Sequence, residues 1–234
     1  MNYFYQPEII QGNHNLDGEE FTHCTRVLRN KVGDQIGILD GIGGFYKVEL
    51  TSISGKNGDF RILENSQKPT KNFYHHIAIA PTKNIDRIEW FVEKACEMGI
   101  DEISFVVTKN TERTKLRVDR LEKKAVSALK QSKSGYLTKI NDLIKLPLLI
   151  KTAAETQFDK YIAFVEPGLQ YFSTLIKPDK KIFTLIGPEG DFDPSEVDLA
   201  LGAGFKKISL GVNTLRTETA GLVACQFVNM LNYY

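Results

Sequence analysis

The rhythm of apolar and polar positions changes near residue 73. Before that point, apolar residues alternate with polar ones in short runs. Asp34–Asp40 and Phe45–Leu50 read as strands around the turn Gly41-Ile-Gly-Gly44, and Ser54-Gly-Lys-Asn-Gly58 turns the chain into Phe60-Arg-Ile-Leu63. A short helix is predicted near Glu19–Leu28. Tyr3, Phe4 and Tyr5 alternate like a strand and are read as core, with base stacking as the other use of such rings. Short strands joined by glycine turns predict a small β-barrel over residues 1–72. The polar, proline-containing stretch Asn65–Asn72 is the predicted linker.

Beyond it, apolar runs alternate with helical spacing. His76–Ala80, Ile103–Val107, Tyr161–Val165 and Ile182–Ile186 are unbroken apolar strands, the signature of a sheet covered on both faces. Ile85, Ile88, Val92, Ala95 and Gly99 share one helical face, so 84–98 is predicted as an amphipathic helix. Leu121, Ala125, Ala128 and Ser132 do the same for 117–132. Asp193-Pro-Ser-Glu196 is a helix start, with Asp as cap, Pro at the first position and Glu three after the cap. Lys207–Leu210 is a last strand, and a final helix runs from about Glu218. The order predicts an α/β domain with a mainly parallel sheet over 73–234.

Composition narrows the class. The chain has 234 residues and a net charge of +1, so no global field draws it to nucleic acid and such a partner would need a local basic patch. Cys24, Cys96 and Cys225 make no CxxC or Cys/His spacing, which predicts free thiols in a reducing cytoplasm and no metal. No segment approaches the roughly 20 apolar residues of a membrane span, and the start of the chain lacks the pattern of a signal peptide.

Three segments carry chemistry. Leu185-Ile-Gly-Pro-Glu-Gly-Asp191 follows a buried strand and leads to the capped helix, the place where open α/β sheets bind ligands. It is neither a P-loop nor GxGxxG. Leu210–Ala220 also follows a strand and opens a helix, with Arg216 and Glu218 either a surface ion pair or working groups. Residues 109–139 hold ten Lys or Arg against three acids, which is either a solvated helix face or a phosphate-binding surface.

Ile186-Gly-Pro-Glu-Gly190, Glu196, Leu210-Gly211 and Leu215-Arg-Thr-Glu-Thr-Ala220 together resemble the knotted SPOUT methyltransferases. Within them they resemble the family that methylates N3 of a uridine in small-subunit ribosomal RNA. The resemblance covers nearly the whole chain. His23-x-x-x-Val27-Leu28-Arg29 and Gly33-Asp34 resemble the family's PUA-like RNA-binding barrel, Lys94-Ala-x-Glu97-x-Gly99 its first catalytic-domain helix, and Gln131-Ser132 a later motif. The chain departs from the family in having no arginine before Arg26, Lys133 where many members carry Arg, and Asp191 where many carry Gly. The last substitution predicts a negative φ at residue 191.

The resemblance implies a trefoil knot near the C-terminus, S-adenosylmethionine as cofactor and small-subunit ribosomal RNA as substrate. It places the cofactor against Leu185, Gly187, Pro188, Glu189, Gly190, Leu210, Gly211, Leu215, Arg216 and Thr217. Arg216 would stabilise developing charge and Glu218 is a candidate base. RNA would meet His23, Arg26, Arg29, Arg113, Arg120, Lys123, Lys124, Gln131 and Lys133, although His23 alone reads as structural. Ala220, Val223, Phe227, Leu231, Val228, Met230, Tyr233 and Tyr234 form an apolar arc wide enough to predict a homodimer through the last helix. A non-catalytic RNA-binding or ribosome-assembly factor on the same fold is the alternative.

Overall fold

The computed structural model describes residues 1–233, so Tyr234 of the predicted apolar arc lies outside the described residues. The chain divides into two compact units, one formed by Met1–Thr70 with Val126–Leu137 and the other by Lys71–Ala125 with Thr138–Tyr234. Residues 126–137, which the apolar periodicity assigns to the C-terminal part, pack in the first unit.

The first unit is built on a five-stranded sheet in the order β1-β3-β4-β5-β2, with β1 and β2 as its edges. The strands are β1 (Tyr3–Tyr5), β2 (Asn15–Leu16), β3 (Gln35–Leu39), β4 (Gly44–Ser54) and β5 (Asn57–Gln67). All pairs are antiparallel except β1 with β3. Inward positions of each strand supply Phe4, Leu16, Ile36, Ile38, Val48, Leu50 and Phe60 to one core. Phe21 and Cys24 complete it from helix α1 (Gly18–Thr22) and the π-helical turn His23–Val27 that continues it. Phe4 is therefore core, as its alternation predicts. The expected linker begins too early. Asn65, Ser66 and Gln67 pair with Tyr46, Phe45 and Gly44, because the partner strand extends far enough to satisfy their backbone groups.

The second unit holds a six-stranded parallel sheet in the order β11-β9-β10-β6-β7-β8. Its strands are β6 (Tyr74–Ile79), β7 (Glu102–Val107), β8 (Lys139–Lys145), β9 (Asp159–Ala163), β10 (Lys181–Ile186) and β11 (Lys206–Ile208). Helices α4 (Leu146–Ala154) and α6 (Pro194–Gly202) pack on each other. Leu149, Ile150, Val197 and Ala200 close one core with Ala78, Val106, Ile162 and Phe183 of the sheet. Helices α2 (Ile85–Glu97) and α7 (Thr217–Tyr233) pack on each other, and α7 also lies on β6 and β10. The approach is close: a Cβ on Gly221 would stand 2.4 Å from the ring of Phe91. Helix α5 (Phe172–Leu175) is a single turn, and α3 (Val118–Ser132) begins in this unit and ends in the other.

A polar network with buried His75, His76, Ser104 and Thr184 at its centre spans the amino ends of β6, β7 and β8. His75 Nε2 meets Thr184 Oγ1 at 3.0 Å and His76 Nε2 meets Ser104 Oγ at 2.8 Å. The Glu102 carboxylate accepts from Tyr74, Asn141 and Lys139 at 2.7–2.9 Å. Burial pushes His75 down to about 3, helped by the nearby His76 and Lys71. It pushes His76 down to about 4 against the upward pull of Glu102. Burial alone would raise Glu102, but the charge His76 can carry and the hydrogen bonds from Tyr74, Asn141 and Lys139 bring it to about 2.

Candidate active site

Three loops leave the carboxyl ends of neighbouring strands β9, β10 and β11, where ligands of open parallel sheets bind. They enclose a cleft of about 550 Å³, within the size range of small-molecule sites. Residues 163–167 line it after β9, Ile186–Glu189 with Asp191 after β10, and Ser209–Thr217 after β11, with Ala220 of α7 at its base.

The middle loop is held by sequence chemistry legible in advance. Asp193 caps α6 and Glu196 bonds back to the cap backbone in a full capping box. Gly187 is required by packing, since a Cβ there would stand 2.8 Å from the Phe192 ring. Asp191 corrects one expectation: its φ is +60°, not negative. Asp tolerates this left-handed conformation because its short carboxylate bonds locally, and here Oδ1 accepts from the Phe192 N–H at 2.8 Å. Asn110 fixes the same turn by donating to the carbonyls of Gly190 and Asp191. Lys109 donates its backbone N–H to Glu196 and its ammonium to Asp193. With Ser195 donating as well, that ammonium holds the Asp193 carboxyl down at about 2. Sequence reasoning missed the bracing role of Lys109 and Asn110, because nothing in a strand-end Thr-Lys-Asn marks it.

The last loop is joined to the middle one by Thr217, whose hydroxyl donates to the Gly187 carbonyl at 3.0 Å. Gly211 has φ +156°, a conformation that side chains rarely adopt, and among the described residues nothing beyond its chain neighbours lies within 4 Å of where its Cβ would be. Arg216 is exposed and lines the cleft.

The predicted cofactor residues Gly187, Pro188, Glu189, Leu210, Gly211, Leu215, Arg216 and Thr217 thus come together around one space. Leu185 and Gly190 are outside its lining: Leu185 is buried in the core, and Gly190 sits against Asn110. Glu218 is a second correction. It does not line the cleft, and only 6% of it is exposed. It shares the inward arc of α7 with Gly221, Cys225 and Val228, so helical spacing turns it inward. Its Oε1 lies 3.7 Å from Arg87 Nε of α2, and Oε2 has no hydrogen-bond partner among the described residues.

The predicted RNA residues fall into two groups. His23, Arg26, Arg29, Gln131 and Lys133 belong to the first unit. There His23 stacks edge-on to Phe4, while Arg26, Arg29, Gln131 and Lys133 are exposed. Arg113, Arg120, Lys123 and Lys124 belong to the second unit. Arg113 donates to the carbonyls of Thr82 and Lys83, Arg120 pairs with buried Glu89 at 2.8 Å, and Lys124 meets Glu93 at 3.5 Å. The ten-to-three imbalance along 109–139 is therefore smaller in space than in sequence, since acids from other elements answer it. Among the described residues, no group of three or more His, Cys, Asp or Glu side chains could hold a metal ion.

The sequence of the second unit decides the class. A family described as RNA methyltransferase domain matches residues 69–229, and one described as RNA methyltransferase PUA domain matches 16–63. This chain belongs to the RNA methyltransferase family. It is 30% identical over 183 residues to a ribosomal RNA small subunit methyltransferase E of Mesomycoplasma hyopneumoniae, covering 76% of this chain and 78% of that one. It is 39% identical to a crystal structure described as a probable rRNA-methyltransferase from Porphyromonas gingivalis, with a TM-score of 0.90 over 99% of this chain and 98% of that one. The fold also matches the ribosomal RNA small subunit methyltransferase E of Neisseria gonorrhoeae bound to S-adenosyl methionine. That TM-score is 0.87, at 23% identity, over 99% and 98% of the two chains.

Proposed function

We propose that this chain transfers a methyl group from S-adenosylmethionine to N3 of a uridine in small-subunit ribosomal RNA. The observation that carries the reading is the cleft, where glycine turns and the Thr217–Gly187 bond shape a space between two loops at adjacent strand ends. The lining suits the cofactor. Leu210, Val165 and Val212 offer an apolar wall, Gly211 leaves room beside its backbone, and Glu166, Glu189 and Asp191 offer acceptors to a cationic ligand. Relatives named for this activity, and the fold relative bound to S-adenosyl methionine, support the same reading.

When bound, the cofactor supplies an electrophilic methyl group; the chain supplies position and charge. Uracil N3 can take up that methyl only as its proton passes to solvent water, so negative charge builds on the flanking carbonyl oxygens. Arg216, exposed on the cleft wall, stabilises that charge. Glu218 acts through Arg87 to hold the first turn of α7, and thereby Arg216, in place. The domain of residues 1–72 reads RNA through His23, Arg26 and Arg29, the domain of 73–234 carries the chemistry, and the C-terminal segment threads the trefoil knot of the SPOUT class. The enzyme works in the cytoplasm on the small subunit or its RNA.

We also propose a homodimer through α7. Met230 and Tyr233 are exposed, and Val223, Phe227 and Leu231 are only half-buried, although Phe227 meets Phe172 edge-on. Charged residues at 227 and 231 should give monomers without methyl transfer; light scattering showing a fully active wild-type monomer at micromolar concentration overturns the dimer.

The function itself is tested by mass spectrometry of small-subunit RNA from a strain lacking the gene. Loss of one 3-methyluridine, restored by the gene, is expected. An unchanged nucleoside content overturns the reading, and a chain giving no heat with S-adenosylmethionine in calorimetry would be a non-catalytic assembly factor instead.

A further inference from the structure

Glu166 differs from the other two carboxylates of the cleft. Glu189 turns an oxygen onto the Lys83 N–H, and Asp191 onto the Phe192 N–H, so both serve the shape of the glycine loop. Glu166 stands instead at the end of β9, between Val165 and Pro167. Its Oε2 accepts from Lys207 Nζ of β11 at 2.6 Å, and that ammonium sits 4.8 Å over the Phe164 ring. The pair fixes where the carboxylate lies. Its Oε1 makes no hydrogen bond to the described residues.

The surroundings are apolar and open. Val165 is 64% exposed and Val212 86% exposed, and both line the cleft with Leu210. Exposed apolar side chains gathered in a concave site with a few placed polar groups are the mark of a ligand surface. A flat heterocycle covers such a wall. An ionised carboxylate only accepts hydrogen bonds, so the group that meets it must bring donors. Among the parts of a nucleoside, the ribose with its two adjacent hydroxyls brings them.

We propose that Glu166 is the ribose acceptor of the cleft: its carboxylate takes hydrogen bonds from the 2′ and 3′ hydroxyls of the cofactor's adenosine and makes the site selective for a ribonucleoside. Lys207 is its positioning residue. This rests on the cofactor reading above.

Calorimetry with S-adenosylhomocysteine, its 2′-deoxy and 3′-deoxy analogues and 5′-methylthioadenosine tests it, using the full chain. Wild type should bind S-adenosylhomocysteine roughly tenfold or more tighter than either deoxy analogue, the range for a hydrogen bond to a charged group. In Glu166→Ala the three should bind equally, within about twofold, and Glu166→Gln, which keeps one acceptor, should fall between. Partial exposure of Glu166 lets both variants fold, which circular dichroism checks. Undiminished discrimination in Glu166→Ala overturns the inference alone. So does a Glu166→Ala variant that instead binds S-adenosylhomocysteine no better than 5′-methylthioadenosine, since the carboxylate would then serve the amino-acid end. Failure of wild type to bind S-adenosylhomocysteine at all overturns the cofactor reading with it.

Discussion

The parallel sheet treats its two ends differently. At the amino ends of β6, β7 and β8, His75 and His76 are buried, Glu102 is partly buried, and each finds partners within the chain. At the carboxyl ends of β9, β10 and β11, Arg216 and Glu166 face a cleft with bonding capacity to spare, while the N–H and carbonyl of Gly211 are both engaged by the Ser209 hydroxyl. Both ends carry polar side chains, buried or partly buried at the first and exposed on the cleft at the second. A satisfied polar network contributes to a unique fold and offers nothing to a ligand. An unsatisfied one contributes little to the fold and gives binding and chemistry their purchase. The proposed function therefore draws on the end whose groups are left open, and the comparison can be broken at either end.

The largest effect is expected at Arg216. Arg216→Ala removes the one guanidinium of the cleft lining. Losing one preorganised donor to transition-state charge costs about 10²- to 10³-fold in rate. Single-turnover methylation should fall by that order while binding of S-adenosylhomocysteine changes little and the melting temperature holds. A stability loss as large as the activity loss would place Arg216 among the structural groups and erase the contrast.

Gly211 comes next. With φ +156° any side chain is strained, and among the described residues nothing beyond its chain neighbours would crowd its Cβ. Gly211→Ala and Gly211→Val should therefore weaken cofactor binding alike, by roughly tenfold or more, since strain at such positions costs about 1–3 kcal/mol and the loop shifts to relieve it. Valine acting far more severely than alanine in calorimetry would show that ligand space, not backbone conformation, makes the glycine necessary.

The sheet and its cleft were largely legible in the sequence; the partners of charged groups were not. Unbroken apolar runs gave away β6, β7, β9 and β10, and the capping signal at Asp193 fixed the start of α6. Lys139–Lys145 escaped notice because this edge strand carries Asn141, Asp142 and Lys145 among its apolar residues, which blurs its period. The charge count along 109–139 could not show its partners, because Glu89, Glu93 and Asp193 lie outside that window and reach it only through folding. Glu218 looked like a working carboxylate beside Arg216, yet the turn from loop to helix sends neighbouring residues in opposite directions. Glu166 belongs to no motif: what marks it is Lys207, forty-one residues away in sequence.

At the amino end, the prediction concerns pH. Folded His75 and His76 bind protons only near pH 3 and 4, whereas an unfolded histidine does so near 6.5. Between those values the unfolded state holds more protons, so stability must fall as pH drops, starting below about 6.5. Each histidine contributes a slope approaching about 1.4 kcal/mol per pH unit. Glu102, held near 2, adds a second loss that begins as pH falls into the ordinary carboxylate range and runs down through its folded value. Chemical denaturation from pH 7 to 4 should show the first slope, and His75→Phe should reduce it. A flat profile down to pH 5 would mean the histidines are not held neutral by burial.

Helix α3 tests where a third region falls, and its expected effect is the smallest. Arg120 and Lys124 already meet Glu89 and Glu93, as charged groups of the amino end meet their partners. Yet the Lys124–Glu93 pair is half-exposed on both sides, so solvent screens it and it contributes at most about 1 kcal/mol. A phosphate backbone can compete for cations held that loosely. Reversing Lys123 and Lys124 to Glu should weaken binding of small-subunit RNA severalfold. It should also flatten the dependence of affinity on salt by about one unit of log–log slope for each phosphate no longer neutralised. Cofactor affinity should stay as it was, because neither residue lines the cleft. A salt slope identical to that of the wild type would assign α3 to the satisfied class, its charges answering groups of the chain and nothing beyond it.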